Sequence, residues 1–211
     1  MIDMSEAALN VSATLHSSHA NGPGVRAVIW VQGCSLGCPG CYNPDTHEHS
    51  PRHIVPAEDL ADWISSLEGI EGITFSGGEP FEQARGVSEI IRLARAKRPE
   101  LSVFIFTGYD IEELRSSSDE GVARLLGMAD MLSAGRYVSA SRDSSLLWRG
   151  SSNQELVYLT ERYSLDMEPH WEEESPIEEV HVLSDTVFRT GFLGKRGKLA
   201  RALDAEVEAD A

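Results

Sequence analysis

Cys34, Cys38 and Cys41 are the only cysteines of this chain, and they fall within eight residues of one another. Structural disulfides use cysteines in pairs, spread along the chain to close loops. Three thiols spaced three and two residues apart instead suit one metal centre. Iron–sulfur clusters are usually held by four thiolates. Three on one tight loop would ligate three irons of a 4Fe–4S cluster and leave the fourth iron open to a substrate. Zinc would take Cys34, Cys38 and Cys41 with His47 or His49 as the fourth ligand. Spacing alone leaves both metals open.

Other loops carry groups that a charged ligand needs. Gly77-Gly78-Glu79-Pro80 sets two residues without side chains beside one carboxylate, so that backbone and charge can approach a ligand together. Thr107-Gly-Tyr109 and Trp148-Arg-Gly-Ser-Ser-Asn-Gln154 add hydroxyl, guanidinium and amide groups. Taken singly, each is more often an ordinary turn. Placed together on one rim they make a site.

The elements that must position these loops alternate between strand and helix. Arg26-Ala-Val-Ile-Trp-Val31 is a short apolar run of the kind buried on both faces of a parallel sheet, and the cysteines follow it directly. Residues 56–67 have helical spacing at Leu60, Trp63, Ile64 and Leu67, with Pro56 suited to the first turn. A strand over 69–75, a helix over 82–97 and a strand over 101–106 come next. Residues 112–128 read as a helix in two pieces, interrupted by the serines at 116–118, before a fourth strand over 129–133. This alternation predicts an α/β fold with a mostly parallel sheet. There are too few units for a closed eight-stranded barrel, so the expected form is a partial (βα) barrel or open sheet. Clusters at the C-terminal ends of its strands lie where such sheets place their chemistry.

The flanks are read differently. Residues 1–20 are expected to be an irregular start, and 198–211 a fraying helix. Residues 161–185 hold nine acids and one base, half of the net charge of −16, and read as a solvated insertion. Residues 180–183 and 186–189 are expected to pair as a hairpin through Ser184-Asp185. The expected organisation is therefore a core over 1–160 with its cluster loop at 34–41, and an acidic extension over 161–211 that is not an independent domain.

Composition excludes several classes of function. With 34 acidic against 18 basic residues, the chain repels a phosphate backbone, which argues against nucleic-acid binding. No apolar run approaches the roughly 18 to 20 residues of a membrane helix. The start, Met1-Ile-Asp-Met-Ser-Glu, lacks the features of a secretory signal. A cytoplasmic protein is expected, where thiols stay reduced and clustered cysteines bind metal.

The spacing Cys34-x3-Cys38-x2-Cys41 resembles the signature of the radical S-adenosylmethionine (SAM) superfamily. The wider string Asn21-Gly-Pro-Gly-Val-Arg26, Gly33-Cys34, Cys38-Pro-Gly-Cys-Tyr-Asn43 resembles the activating enzymes of anaerobic ribonucleotide reductase. So do Ser76-Gly-Gly-Glu-Pro80, Phe106-Thr-Gly-Tyr109 and Leu147-Trp-Arg-Gly-Ser-Ser-Asn-Gln154, in the family's order. The resemblance implies that Cys34, Cys38 and Cys41 hold a 4Fe–4S cluster whose open iron is chelated by the amino and carboxylate groups of SAM. Gly77, Gly78 and Glu79 would lie at the methionine end, and Gly40, Cys41 and Tyr42 on the adenine side. One electron would cleave SAM to methionine and a 5′-deoxyadenosyl radical, which takes a hydrogen atom from a glycine of the large reductase subunit. A low-potential donor such as a flavodoxin or ferredoxin would supply the electron.

The chain also departs from that family. Ser133-Ala-Gly135 stands where the family has an Asp-Gly pair, and 57 residues follow Gln154. The alternatives are a stand-alone radical SAM enzyme acting on a peptide or small metabolite, and a zinc- or cluster-binding module without turnover. The seven histidines are scattered. Trp30, Trp63 and Trp171 read as packing residues, while Arg26 reads as a contact to SAM or a partner, or as half of a surface ion pair.

Overall fold

A computed structural model of the chain describes residues 8–182 and 187–192. Its strands are β1 (Ala8–Ser18), β2 (Arg26–Val31), β3 (His53–Pro56), β4 (Gly72–Gly77), β5 (Ser102–Thr107), β6 (Met131–Ala134), β7 (Glu155–Tyr158), β8 (Glu178–Val182) and β9 (Val187–Gly191). The helices are α1 (Ala57–Ser66), α2 (Ala84–Lys97), α3 (Ile111–Ser116), α4 (Glu120–Leu126) and α5 (Glu168–Glu174). Seven strands form one sheet in the order β3-β1-β2-β4-β5-β6-β7, while β8 and β9 pair separately and antiparallel.

The apolar runs form the parallel centre of this sheet, β2, β4, β5 and β6. Side chains alternate across it, as strand geometry requires. Ala27, Ile29 and Val31 of β2, with Val103 and Ile105 of β5, face a core shared with Leu60 and Ile64 of α1, Ile90 and Ile91 of α2 and Leu125 of α4. Val28 and Trp30 face the other way with Leu15, and Phe104 packs there with Met131, Trp148, Tyr163 and Trp171. Fully burying one such large apolar side chain contributes about 1.5–3 kcal/mol. The sheet is therefore covered on both faces, by helices on one and by residues beyond 147 on the other. No described helix is long and apolar enough to cross a membrane.

The broken helix expected over 112–128 is two helices, each with its own acidic cap. At α3 the Asp110 side chain accepts from the backbone three residues on, and Glu113 accepts from the Asp110 N–H at 2.8 Å. At α4 Asp119 accepts from the Gly121 N–H at 2.7 Å.

Two expectations are corrected. The irregular start contains β1, an eleven-residue strand that pairs with both β2 and β3. Its buried Leu9 and Val11 keep the two-residue period of a strand and face the helices, while a register shift after Val11 turns Leu15 to the opposite face. The acidic insertion is anchored rather than free: Tyr163 and Trp171 are buried against Phe104 and Trp148, while Glu172, Glu173 and Glu174 of α5 are exposed. The expected turn at Ser184-Asp185 and the helix over 198–211 lie outside the described residues.

Candidate active site

Register brings the motif loops together. Val31 of β2 stands opposite Gly77 of β4, and Thr107 of β5 opposite Ala134 of β6. The cysteine loop, the Gly-Gly-Glu turn, the Thr-Gly-Tyr turn and Gly135 therefore leave one edge of the sheet side by side.

The cysteine loop is shaped mainly by its own backbone. Gly33 N–H donates to Thr46 O at 2.8 Å and Cys34 N–H to His47 O at 3.1 Å, so the returning chain clamps the loop's entrance. The Gln32 amide adds a 2.7 Å bond to Glu48 O. Cys41 N–H donates to Cys38 O at 3.1 Å, closing the Cys-Pro-Gly-Cys turn, in which Gly40 takes the left-handed φ of 75°. Glu82 pins the start of the loop. Its carboxylate accepts from Ser35 N–H at 2.8 Å and pairs with His49 Nε2 at 2.8 Å.

The Gly-Gly pair permits contact between β4 and this loop. A Cβ on Gly78 would sit 2.1 Å from Gly33 O, and one on Gly77 would sit 2.7 Å from the Val31 backbone. That closeness allows Gly78 N–H to reach Val31 O at 2.7 Å and Glu79 N–H to reach Gly33 O at 2.8 Å. The Glu79 side chain turns inward and is 1% exposed. It accepts from Phe81 N–H at 3.0 Å, the Thr107 hydroxyl at 2.9 Å and Gly108 N–H at 2.9 Å. Burial nevertheless pushes its carboxyl up to about 7, because those three donors offset only part of the lost solvation.

Cys34, Cys38 and Cys41 line one cavity with Tyr42, Gly77, Gly78 and Glu79. Gly40, the remaining residue expected on the adenine side, is exposed and lies outside that lining. All three thiols are free and half-buried, and Asn43 N–H reaches Cys41 Sγ at 3.4 Å. Burial pushes the Cys34 and Cys41 thiols above their ordinary value, and at Cys34 the Glu79 carboxylate adds to the shift. Metal binding takes thiolates, so loading this loop releases protons. Among the described residues no three His, Cys, Asp or Glu side chains already surround a single point. The thiols share a wall, and the chemistry of that set, three sulfurs beside one carboxylate and close backbone, fits a cluster with an exchangeable position. Of the proposed zinc ligands, His49 is engaged by Glu82 and only His47 reaches the cavity.

Ser133, Gly135 and Gln154 of the remaining motifs line the same cavity and are tied to the loop behind it. Gln154 Oε1 accepts from Gly150 N–H at 2.8 Å, and its amide donates to Gly135 O at 2.8 Å. Asn153 donates to Arg136 O at 2.8 Å, and Ser133 donates to Trp148 O at 2.7 Å. These bonds fix the loop after β6, in which Trp148 holds a φ of 53°. Arg26 is neither a SAM contact nor a surface ion pair. It is wholly buried below the sheet's opposite edge, donating to Thr74 Oγ1, Pro23 O and Ser102 Oγ. Sequence reasoning missed Glu82, three residues past Glu79, and Tyr137 and Phe192, which form an aromatic wall with Phe106 of the quoted motif. Tyr137 follows Gly135 closely enough to have been weighed with that loop, whereas no motif marks Phe192.

Comparison with known proteins gives the class. Residues 20–157 match the 4Fe-4S single cluster domain family, which decides for an iron–sulfur cluster over zinc. The anaerobic ribonucleoside-triphosphate reductase-activating protein of Escherichia coli (strain K12) is 35% identical over 146 residues, covering 66% of this chain and 92% of the relative. Its namesake from Vibrio cholerae is 33% identical over the same length, and that of Enterobacteria phage T4 is 31% identical over 140 residues, 64% of this chain and 85% of the relative. The chain belongs to this family of activating enzymes, within the radical SAM superfamily. Membership sets aside the module without turnover.

Proposed function

We propose that this enzyme reductively cleaves SAM at its cluster and installs a glycyl radical on an anaerobic ribonucleoside-triphosphate reductase. The observation that carries the reading is the cavity in which three free thiols meet Glu79 and the Gly77-Gly78 backbone at adjacent strand ends. When bound, the cluster supplies the one electron that splits SAM into methionine and a 5′-deoxyadenosyl radical able to take a hydrogen atom from a glycine Cα.

The chain's own residues bind, orient and shield. Cys34, Cys38 and Cys41 hold three irons. Glu79, rigidly held by Thr107 and Gly108, presents carboxylate charge to the SAM ammonium, and Gly77 and Gly78 let the backbone approach the methionine end. Tyr42 forms the adenine side with Cys41. Its ring meets Tyr137 at 5.2 Å and carries the Arg142 guanidinium at 5.2 Å from its centre. The sheet would serve as the partial barrel of the superfamily, and the enzyme would work in the cytoplasm with a flavodoxin- or ferredoxin-type donor.

Anaerobic reconstitution tests this directly. Wild-type protein should bind about four irons per chain, release 5′-deoxyadenosine with dithionite and SAM, and leave a glycyl radical signal on the reductase from the same genome. Cys38→Ala should lose the iron while keeping its fold, since Cys38 lies outside the buried core. Iron-loaded wild type that releases no 5′-deoxyadenosine would refute the proposal. A second reading, the same chemistry on another peptide or a small metabolite, is favoured by Ser133-Ala-Gly135, which offers no carboxylate where the family has an Asp-Gly pair and whose Ser133 hydroxyl is spent on Trp148 O. Turnover without any mark on the reductase would select it.

A further inference from the structure

The cofactor cavity does not end at the cysteines. Its volume is about 120 Å³, and it shares Tyr42, Asn43, Ser76, Phe106 and Phe192 with a second chamber of about 290 Å³. Together they reach the size of ligand sites, about 300–1,000 Å³. The second chamber is walled by Trp30 on one side and by β9 on the other. Strand β9 lies beyond residue 157, where the family match stops. It is seated by specific contacts: Phe188 packs edge-on against Trp30 with ring centres 5.2 Å apart, and Phe192 meets Tyr42 at 5.3 Å and Phe106 at 5.8 Å. Thr190, also buried, accepts from the Asn21 amide at 2.8 Å.

We infer that β9 and Phe192 just beyond it complete the active site, with Phe192 as the wall common to the cofactor cavity and the chamber through which the hydrogen-donating segment enters. Phe192 shapes the cofactor side and Phe188 the substrate side. The chamber's makeup points to a polypeptide: aromatic rings set its width, and the Asn43 and Ser76 side chains offer groups that match backbone amides. A second observation marks a ligand. Tyr42 lines both compartments, and its hydroxyl is buried without a hydrogen-bond partner among the described residues. A buried hydroxyl without a partner is unfavourable until a ligand pairs with it. The substrate is thus an extended peptide strand narrow enough to pass Phe188, as a strand with glycine at its tip is.

This inference rests on the proposed glycyl-radical chemistry, and two readouts separate their fates. In cluster-loaded full-length protein, Phe188→Ala widens the chamber. The ratio of glycyl radical formed to 5′-deoxyadenosine released should fall about tenfold, since small misplacements at a reacting centre are costly, and Phe188→Leu should restore most of it. The loss in that ratio should exceed any loss of SAM affinity. If both fall together and Phe188→Leu restores neither, or if neither falls, the substrate-side assignment is overturned. The second readout needs no reductase: Phe192→Ala should weaken SAM binding, by calorimetry, about tenfold, or about 1.4 kcal/mol. An unchanged affinity overturns the shared wall. Wild-type protein that cleaves SAM but marks no reductase overturns the partner alone, and the calorimetry still decides the wall.

Discussion

The Gly108 N–H donates to the buried Glu79 carboxylate at 2.9 Å, joining the end of β4 to the end of β5. The carboxylate is held more by this bond and its two companions than by any positive charge, and its protonation is therefore sensitive to what enters the cavity. Burial holds its folded value at about 7 against an ordinary 4.5. Between those values the folded chain keeps a proton that the unfolded chain has released. Stability accordingly falls as pH rises through that window and levels off above it. The effect is worth about 3 kcal/mol at about 1.4 kcal/mol per pH unit. Urea midpoints of the metal-free protein should decline from about pH 5 to about pH 8, and Glu79→Gln should flatten that decline. A SAM ammonium at the same carboxylate favours ionisation, so SAM should bind more tightly as pH rises toward 7 and release a proton below it. Equal slopes in wild type and Glu79→Gln would show that another group titrates.

Gly78→Ala tests the contact between β4 and the cysteine loop. The new Cβ meets a backbone oxygen, Gly33 O, at 2.1 Å, which no side-chain rotation relieves. Overpacking of this kind costs about 1–3 kcal/mol. The separation it forces would break the Gly78–Val31 and Glu79–Gly33 bonds and displace Cys34. Lower thermal stability together with fewer irons per chain after reconstitution is the expected result. A variant that melts lower but loads fully would mean that the clash relaxes away from the thiols.

Arg26 predicts a stability effect far from the chemistry. Its guanidinium also donates to Ile73 O at 2.7 Å and Ser102 O at 3.2 Å, and to the Tyr163 hydroxyl at 3.4 Å. Tyr163 in turn donates to Glu71 at 2.6 Å. Burial pulls Arg26 below the ordinary arginine value, while Tyr163 and Glu71 oppose that shift. Arg26→Ala strands these acceptors in the core and should cost roughly 3–5 kcal/mol, the scale of a broken buried charged network. Arg26→Lys keeps the charge but not the planar fork, and should fall between. Urea denaturation measures both. A loss below about 1 kcal/mol for Arg26→Ala would mean that water replaces the network.

Much of the site was legible because its signals are local. Gly77 and Gly78 mark a backbone approach, the cysteine spacing marks a ligand loop, and the apolar run of β2 places that loop at a strand end. What escaped depends on partners distant in sequence. The guanidinium of Arg26 looks in the sequence like any charged side chain near a turn, and the Gly-Gly-Glu motif does not show that the Glu79 carboxylate turns inward to Thr107 and Gly108. Only the strand register shows that Arg26 starts β2 beneath Thr74 and Ser102. Strand β1 was overlooked because a register shift after Val11 breaks its alternation and serine, threonine and histidine break up its apolar character. In the acidic extension Trp171 was legible as a packing residue, but glutamates outnumber the other aromatic residues that anchor it, so average composition hid Phe188 and Phe192.

The anchoring of that extension gives the last prediction. Glu179 of β8 accepts from the Ser18 hydroxyl and from the His19 and Ala20 N–H groups, at 2.9 and 3.2 Å for the two amides. Burial raises this carboxyl, yet the bonds from Ser18, His19 and Ala20, with His181 nearby, leave it below the ordinary glutamate value. A depressed carboxyl stabilises its contact above the unfolded value near 4.5 and loses that contribution as pH falls through the lower folded value. Acid should therefore loosen the β8–β9 pair from the end of β1. Glu179→Ala should do the same at neutral pH, leaving the three donors to solvent. Amide exchange read by mass spectrometry should quicken over 187–192 in the variant by about tenfold, the equivalent of about 1.4 kcal/mol. Exchange in β4 and β5 should hold, since neither strand touches this anchor. Quickening throughout the sheet would show that Glu179 supports the whole fold, and none at all would show that the Trp30–Phe188 and Tyr42–Phe192 ring contacts and the Asn21–Thr190 bond hold β9 in place without it.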